Sequence, residues 1–388
     1  MTTASAVPPR ILPRILPRIL HCHSTFAAGG KEVRCARLMN AFGAALEHVV
    51  VSAQPEAMGA RALIDTRIKA SFPDDFPALT GWPTPGRLAG IATALKPYDL
   101  ICTYNWGAMD VVMAHRAFAR AMGLPPLVHH EDGFNEDEAH GLKRSRNFYR
   151  RAALSGAACV IVPSTGLERI ALEVWHQPRA RVERIGNGID TAAFAKPPQP
   201  RALPLEKGAG QRWVGTLAGL RAVKQLPLLV EAVAGLPDEW HLVICGEGPE
   251  REAILAAAKA HAISHRVHLP GAVADPASII GLFDIFALSS ASEQFPLSVV
   301  EAMAAALPVA APDVGDIRVM VGEANQAFIT APGSAQSLRV ALSQLAADAD
   351  LRARIGAANQ AKAREQYDFA AMFARYRAVY GDAMGRGL

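Results

Sequence analysis

Between Asp284 and Pro312 the sequence sets out a strand, a loop, a helix and a second strand in one short stretch. The apolar run from Asp284 to Leu288 ends in Ser289 and Ser290, the pattern of a short buried strand and its exit turn. A polar loop carrying Glu293 follows. Pro296 supplies a fixed φ suited to a first helical turn, and Leu297–Leu307 are helix formers. Pro308 ends that helix, and Val309–Ala311 read as the next strand. The fold class is therefore α/β, an open sheet whose ligand crevice lies beyond the carboxyl ends of its strands. On one unbroken helix Glu293 and Glu301 would stand about 12 Å apart along the axis. Pro296 interrupts the run, so Glu293 belongs to the loop and Glu301 to the helix, and both can face the crevice.

The same alternation recurs upstream. The stretch from Arg18, RILHCHSTFAAGGKEVRCARLMNAFG, reads as a strand, a glycine turn and a helix. Gly29 and Gly30 there would let backbone N–H groups approach an anion, helped by the helix dipole. Further strands are expected at Glu47–Ser52, Asp99–Asn105, Pro126–Gly133, Ala158–Ser164 and Gln211–Leu217. The strand from Pro126 ends in the polar cluster His129, His130, Glu131 and Asp132. His241–Pro249 runs from a strand into the glycine turn at Gly246, with a helix over Arg251–Ala262. Lys143–Arg151 is the densest positive run; on a helix, Lys143, Arg146 and Arg150 share one face. Such a face is usually solvated, and it also suits a phosphate-bearing acceptor or an anionic membrane.

With 388 residues the chain has room for two domains, each with its own core. The Pro-, Gly- and charge-rich stretch from Pro197 to Gly210 marks the boundary, giving 1–195 and 211–366. A net charge of +4 is too mild for a nucleic-acid binder. The five cysteines, Cys22, Cys35, Cys102, Cys159 and Cys245, form no CxxC pair; they fit reduced core thiols and a reducing, cytoplasmic compartment. No apolar run approaches the roughly 18 residues of a membrane span. PRIL occurs three times between Pro9 and Leu20, where Pro and Arg interrupt both a signal-peptide core and a regular helix. The expected reading is an extension ahead of the first strand, basic and apolar enough to touch an anionic membrane. Asp348 and Asp350 have DxD spacing but stand far in sequence from the other motifs, and no metal site is expected.

Glu293-Gln-Phe-Pro-Leu-Ser-Val-Val-Glu301 resembles the E-x7-E element of retaining glycosyltransferases of family 4. That family has the GT-B fold, two Rossmann-like doubly wound domains facing each other across a cleft. The family's glycines within and after this element are replaced by Gln294 and Ala306. The resemblance spans nearly the whole chain and is strongest from Gly215 to Gly315. It implies an N-terminal acceptor-side domain, a C-terminal donor domain, and a last helix, 367–388, crossing back onto the first domain. The family's Gly-Arg-Leu…Lys-Gly segment clamps the donor diphosphate; here Thr216 holds the Arg place, and Arg221 and Lys224 follow in a longer loop. The planar fork of Arg and the compact charge of Lys suit two phosphates. The family's strand-end His reaches the transferred sugar, and Asp132 occupies its place, so that contact falls to Asp132 or to a neighbouring His such as His130. Gly29 and Gly30 match the loop near donor phosphate and acceptor; Gly246 matches the donor-domain turn.

The implied reaction moves a sugar from a nucleotide-diphosphate sugar to a glycan or lipid-linked acceptor, with no other cofactor. Catalytic candidates are Glu293, Arg221, Lys224, His130 and Asp132. Donor contacts would come from Gly29, Gly30, Thr216, Arg221, Lys224, Gly246, Glu293, Phe295, Pro296, Leu297 and Glu301. Glu301 would take the ribose diol and Glu293 the sugar hydroxyls. No residue stands out as a covalent nucleophile, so the resemblance implies front-face displacement with the leaving phosphate as base. Cell-envelope polysaccharide or glycolipid synthesis on the inner membrane face is the family-level expectation. A GT-B sugar-nucleotide epimerase or phosphorylase, or a non-catalytic sugar-nucleotide binder, remain the alternatives.

Overall fold

The computed structural model describes residues 16–134, 138 and 141–388. Of the three PRIL copies, the first and most of the second lie outside the described residues; the third, Pro17–Leu20, runs into the first strand. The described chain divides into two compact units. One comprises Met1–Val160, Gln177–Arg181 and Arg377–Leu388; the other Ile161–His176 and Val182–Tyr376.

The first sheet is built from β1 (Arg18–His23), β2 (Glu47–Ser52), β3 (Ala70–Ser71), β4 (Leu100–Tyr104), β5 (Leu127–His130), β6 (Cys159–Val162) and β7 (Val182–Arg184). Its order is β3-β2-β1-β4-β5-β6-β7, and the unit boundary falls within β6. Helices α1 (Gly30–Phe42), α2 (Pro85–Leu95), α3 (Met109–Met122) and α4 (Arg144–Leu154) connect its strands. The second sheet comprises β8 (Arg212–Leu217), β9 (Trp240–Cys245), β10 (Val267–Gly271), β11 (Ile285–Ala287), β12 (Val309–Pro312) and β13 (Ile329–Thr330), in the order β10-β9-β8-β11-β12-β13. Its principal helices are α5 (Leu226–Ala234), α6 (Arg251–Ala260), α7 (Leu297–Ala304), α8 (Ala335–Ala347) and α9 (Ala349–Gln366). In both sheets the central pairs are parallel.

Parallel strands covered on both faces carry near-continuous apolar side chains. The second sheet shows this residue by residue. Val214, Leu242, Ile244, Ile285 and Ala287 enter one core cluster, while Trp213, Val243, Cys245, Phe286 and Leu288 enter another. Neighbours along one strand thus feed opposite faces, which is why these strands read as unbroken apolar runs. All five cysteines are free and buried, four of them on strands and Cys35 on α1. Together the two sheets give two Rossmann-like parallel-sheet units, as the sequence implies. The final helix, α10 (Phe369–Met384), is shared, with its residues through Tyr376 grouped in the second unit and the remainder in the first.

Two sequence expectations are corrected. The helix expected over Leu297–Leu307 ends at Ala304, because Ala306 turns left-handed at φ 58 and the N–H groups of Ala306 and Leu307 fold back to the carbonyls of Met303 and Ala302. A non-glycine residue holds the place where a helix usually ends on Gly. Of the face expected from Lys143, Arg146 and Arg150, only Lys143 is exposed. Arg150 is fully buried, its guanidinium bonded to Glu138 at 3.1 and 3.0 Å and lying over Trp106 and Phe134. Arg146 also pairs with Glu138, at 3.0 Å.

The carbonyl of Ala306 sits where a Cβ on Gly356 of α9 would collide with it. Ala306→Gly should therefore raise the unfolding free energy by about 0.5–1 kcal/mol by removing the left-handed alanine. Gly356→Ala should lower it by about 1–3 kcal/mol through overpacking. Urea unfolding midpoints of the two variants moving in the same direction would contradict this account.

Candidate active site

In a doubly wound sheet the loops leave in opposite directions where the strand order reverses, opening a crevice at the carboxyl edge. In the second unit that reversal lies between β8 and β11. The loop after β8 carries Arg221 and Lys224; the loop after β11 carries Glu293. The structure binds them together. Lys224 Nζ donates to Glu293 Oε1, and Ser290 Oγ donates to the same oxygen at 2.7 Å. Ser289 Oγ donates to the Lys224 carbonyl at 2.8 Å, and Ala291 N–H to the Val223 carbonyl at 2.8 Å. Arg221 is exposed and, among the described residues, makes no side-chain hydrogen bond, leaving its fork available.

Backbone crowding fixes this edge. Gly246 and Gly248 have φ of 157 and 153, and a Cβ on either would strike the carbonyl of Ala218 or Leu220. The loops interlace instead, through Ala218 N–H to Cys245 O at 3.1 Å and Leu220 N–H to Glu247 O at 2.8 Å. Gly315, at φ 58, lets the turn after β12 pass directly under the Glu293 carbonyl. Phe295 packs edge-on against Tyr367 at 5.6 Å and closes over Gly186. Pro296 is buried and caps α7, Leu297 opens that helix, and Glu301 is half-buried further along it. Thr216 is placed differently from the loop residues. It lies inside β8, fully buried, opposite Ile244.

The remaining candidates lie in the first unit, whose strand order reverses between β1 and β4. Gly29 caps α1 and Gly30 is its first residue; neither is left-handed, so it is proximity to the helix N-terminus that distinguishes them. Asp132, just past β5, is gripped by the guanidinium of Arg34 from α1, one of the two contacts measuring 2.8 Å. Its N–H is held by Asn105 Oδ1 at 2.8 Å. Burial pushes the Asp132 carboxyl up, but the charge and hydrogen bonds of Arg34, with help from His130 and Lys31, outweigh this and hold it below its ordinary value. Asp132 is thus an ionised acceptor. His130 is interior, its Nδ1 against the Thr103 carbonyl at 3.1 Å and its Nε2 against the Tyr380 hydroxyl at 3.0 Å.

Sequence reasoning missed Arg34, Ser290 and His23. His23, Tyr104 and His130 end β1, β4 and β5 and stack in one row, with centroids 3.9 and 4.4 Å apart. His23 is fully buried, and neither ring nitrogen finds a partner among the described residues. The period-two position of His21 and His23 in β1 was the available signal. Asp348 and Asp350 serve elsewhere, Asp348 capping α9 by accepting from Leu351 N–H at 2.8 Å. No helix among the described residues is long and apolar enough to cross a membrane.

Burial holds four imidazoles of this unit neutral: His21 and His23 well below their ordinary value, His48 at about 4 and His130 at about 3. In the unfolded chain the same rings take up protons near pH 6.5. Stability is therefore complete above about pH 6.5 and falls as pH drops toward 4 and 3, because the unfolded state binds more protons. Urea midpoints unchanged between about pH 7 and about pH 4 would count against this burial.

Comparison with known proteins places the chain among glycosyltransferases. Residues 28–193 match the family described as Glycosyltransferase Family 4, and residues 204–362 match Glycosyl transferases group 1. The N-acetyl-alpha-D-glucosaminyl L-malate synthase of Bacillus anthracis is 25% identical over 212 residues, 54% of this chain and 55% of that protein. The D-inositol 3-phosphate glycosyltransferase of Corynebacterium urealyticum is 26% identical over 276 residues, 66% of this chain and 65% of that one. The chain spans about half the length of the first curated relatives it matches, 55% and 57%. The crystal structure of Anabaena HepE in complex with UDP superposes with a TM-score of 0.79 at 20% identity, covering 94% of this chain and all of that one.

Proposed function

We propose that this chain, which belongs to glycosyltransferase family 4, transfers a sugar with retention from a nucleoside-diphosphate sugar to a glycan or lipid-linked acceptor. The observation that carries the reading is the tying of the Arg221–Lys224 loop to the Glu293 loop at the strand reversal of the second unit. Two cations and two carboxylates there match the parts of a nucleotide sugar. The named activities of the relatives, which join sugars to malate and to inositol phosphate, support sugar transfer. UDP in the HepE crystal supports a nucleotide donor.

In this reading residues 211–366 bind the donor and residues 1–195 take the acceptor. Arg221 and Lys224 neutralise charge as it develops on the departing diphosphate, the effect that most lowers such a barrier. Glu293 positions Lys224 and accepts from sugar hydroxyls, and Glu301 accepts from the ribose diol. Asp132, kept ionised by Arg34, accepts a hydrogen bond from a sugar hydroxyl, while His130 lies at the end of the strand that leads to it. The bond from the anomeric carbon to the phosphate oxygen breaks while the acceptor oxygen bonds on the same face. The acceptor's proton passes to the leaving phosphate. The reaction needs no metal in this account, and unchanged activity with a chelator is the expected result. The work it serves is envelope polysaccharide or glycolipid synthesis on the cytoplasmic side.

The decisive experiment is a thermal-shift screen of UDP- and GDP-sugars on the wild type, Glu301→Gln and Lys224→Met. One donor should stabilise the wild type, by about 2.7 kcal/mol at a hundredfold excess over Kd, and lose that effect in Glu301→Gln. Lys224→Met should cut turnover about 10²- to 10³-fold. A wild type that no nucleotide sugar stabilises would end this reading, and a donor bound without turnover on any acceptor would leave a non-catalytic binder.

A further inference from the structure

Helix α4 has two faces of opposite character. Arg146, Tyr149, Arg150, Ala153 and Leu154 turn inward, Arg146 and Arg150 lying over Trp106. Arg144, Phe148 and Arg151 are exposed at i, i+4 and i+7, a single outward stripe with an aromatic ring between two cations. Phe148 is 75% exposed, and only Trp82, at 88%, exceeds it among the large hydrophobic side chains described. The two belong together. A cavity of about 440 Å³ in the first unit is lined on one side by Gly81 and Pro83, which flank Trp82, and on the other by Ser145 and Tyr149 of α4. Trp106, Asp110 and Arg146 also line it, and the Tyr149 hydroxyl donates to Asp110 Oδ1 at 2.7 Å. A second cavity of about 400 Å³ shares Leu79 and Thr80 with the first and is lined by Phe72, Phe76 and Val50.

Left in water, two large aromatic side chains beside one opening are costly, since each buries 150–250 Å² where it finds a partner. Trp and Phe beside arginines have the chemistry of a bilayer interface, where rings sit at headgroup depth and cations meet anionic lipid. We propose that the rim formed by Trp82 and the Arg144–Phe148–Arg151 stripe docks on an anionic lipid surface, so that the cavity opens against the bilayer. The attachment is peripheral. It rests on the proposed lipid-linked acceptor for its purpose, because a cavity mouth held at headgroup depth receives a membrane-borne head.

The test is cosedimentation of the full chain with vesicles of phosphatidylcholine alone and of phosphatidylcholine mixed with phosphatidylglycerol. The expected result is binding to the mixed vesicles only, weakened by added salt. Trp82→Ser with Phe148→Ser should abolish it, and Arg144→Gln with Arg151→Gln should weaken it about fivefold per charge removed. Thermal unfolding of both pairs should match the wild type, and Phe148→Ser alone, tested alongside, should weaken binding in the same direction. No binding to either vesicle overturns the proposal, as does binding that survives loss of both aromatics. If the aromatic pair instead loses transfer to a water-soluble acceptor while vesicle binding is unchanged, the rim is a sugar-stacking surface and the proposal fails. Vesicle binding requires neither donor nor turnover, so its failure is distinct from failure of the donor site.

Discussion

The strand reversal in each sheet is the constraint on which the rest of the structure depends. Between β8 and β11, and between β1 and β4, successive crossovers leave in opposite directions, and no helix can cover the gap at the carboxyl edge. Arg221, Lys224 and Glu293 stand on the loops at the gap between β8 and β11, and Gly29 on the loop that leaves β1. The loops are short and pack backbone against backbone, so their shape is fixed by carbonyls and N–H groups rather than by side-chain cores. The side chains they present are correspondingly well placed. Lys224 meets Glu293 because Ser289 and Ala291 have already fastened one loop to the other.

That arrangement explains why the sheet framework is readable from sequence and the first unit's site only partly so. Buried parallel strands are near-continuously apolar, so Ile285–Ala287 and Trp240–Cys245 announce themselves without neighbours. The Glu293 loop is readable because Pro296 and Pro308 punctuate it. Asp132 stands out by its place at a strand end, but its partner Arg34 lies 98 residues away on α1, and nothing local to either residue signals the pair. Arg150 is hidden for the related reason that periodicity groups residues on a face without saying which way it points. Its burial depends on Glu138 and Trp106 from other segments. Ala306 escapes because sequence rules expect glycine in a left-handed turn.

The two sites also differ in how they handle charge. In the second unit Glu293 and Lys224, with side-chain exposures of 11% and 16%, meet through a single carboxylate oxygen. In the first unit Arg34 and Asp132 form a forked pair at 7% and 14%, backed by histidines that burial keeps neutral. A paired charge set among neutral rings is costly to break. The first is a single-point grip, the second a fixed post.

The five cysteines carry a practical consequence. Cys22 and Cys102 lie on adjacent strands β1 and β4, Cys159 on β6, and Cys245 at the end of β9 beside the glycine turn. Burial drives the thiols of Cys22 and Cys102 far above their ordinary value and that of Cys245 to about 12, leaving almost no thiolate to react. In the folded chain these three thiols should thus be silent to alkylating reagents at neutral pH. Each of the three that does become labelled then timestamps the opening of its own strand, giving both sheets an intrinsic clock for local unfolding that needs no engineered probe.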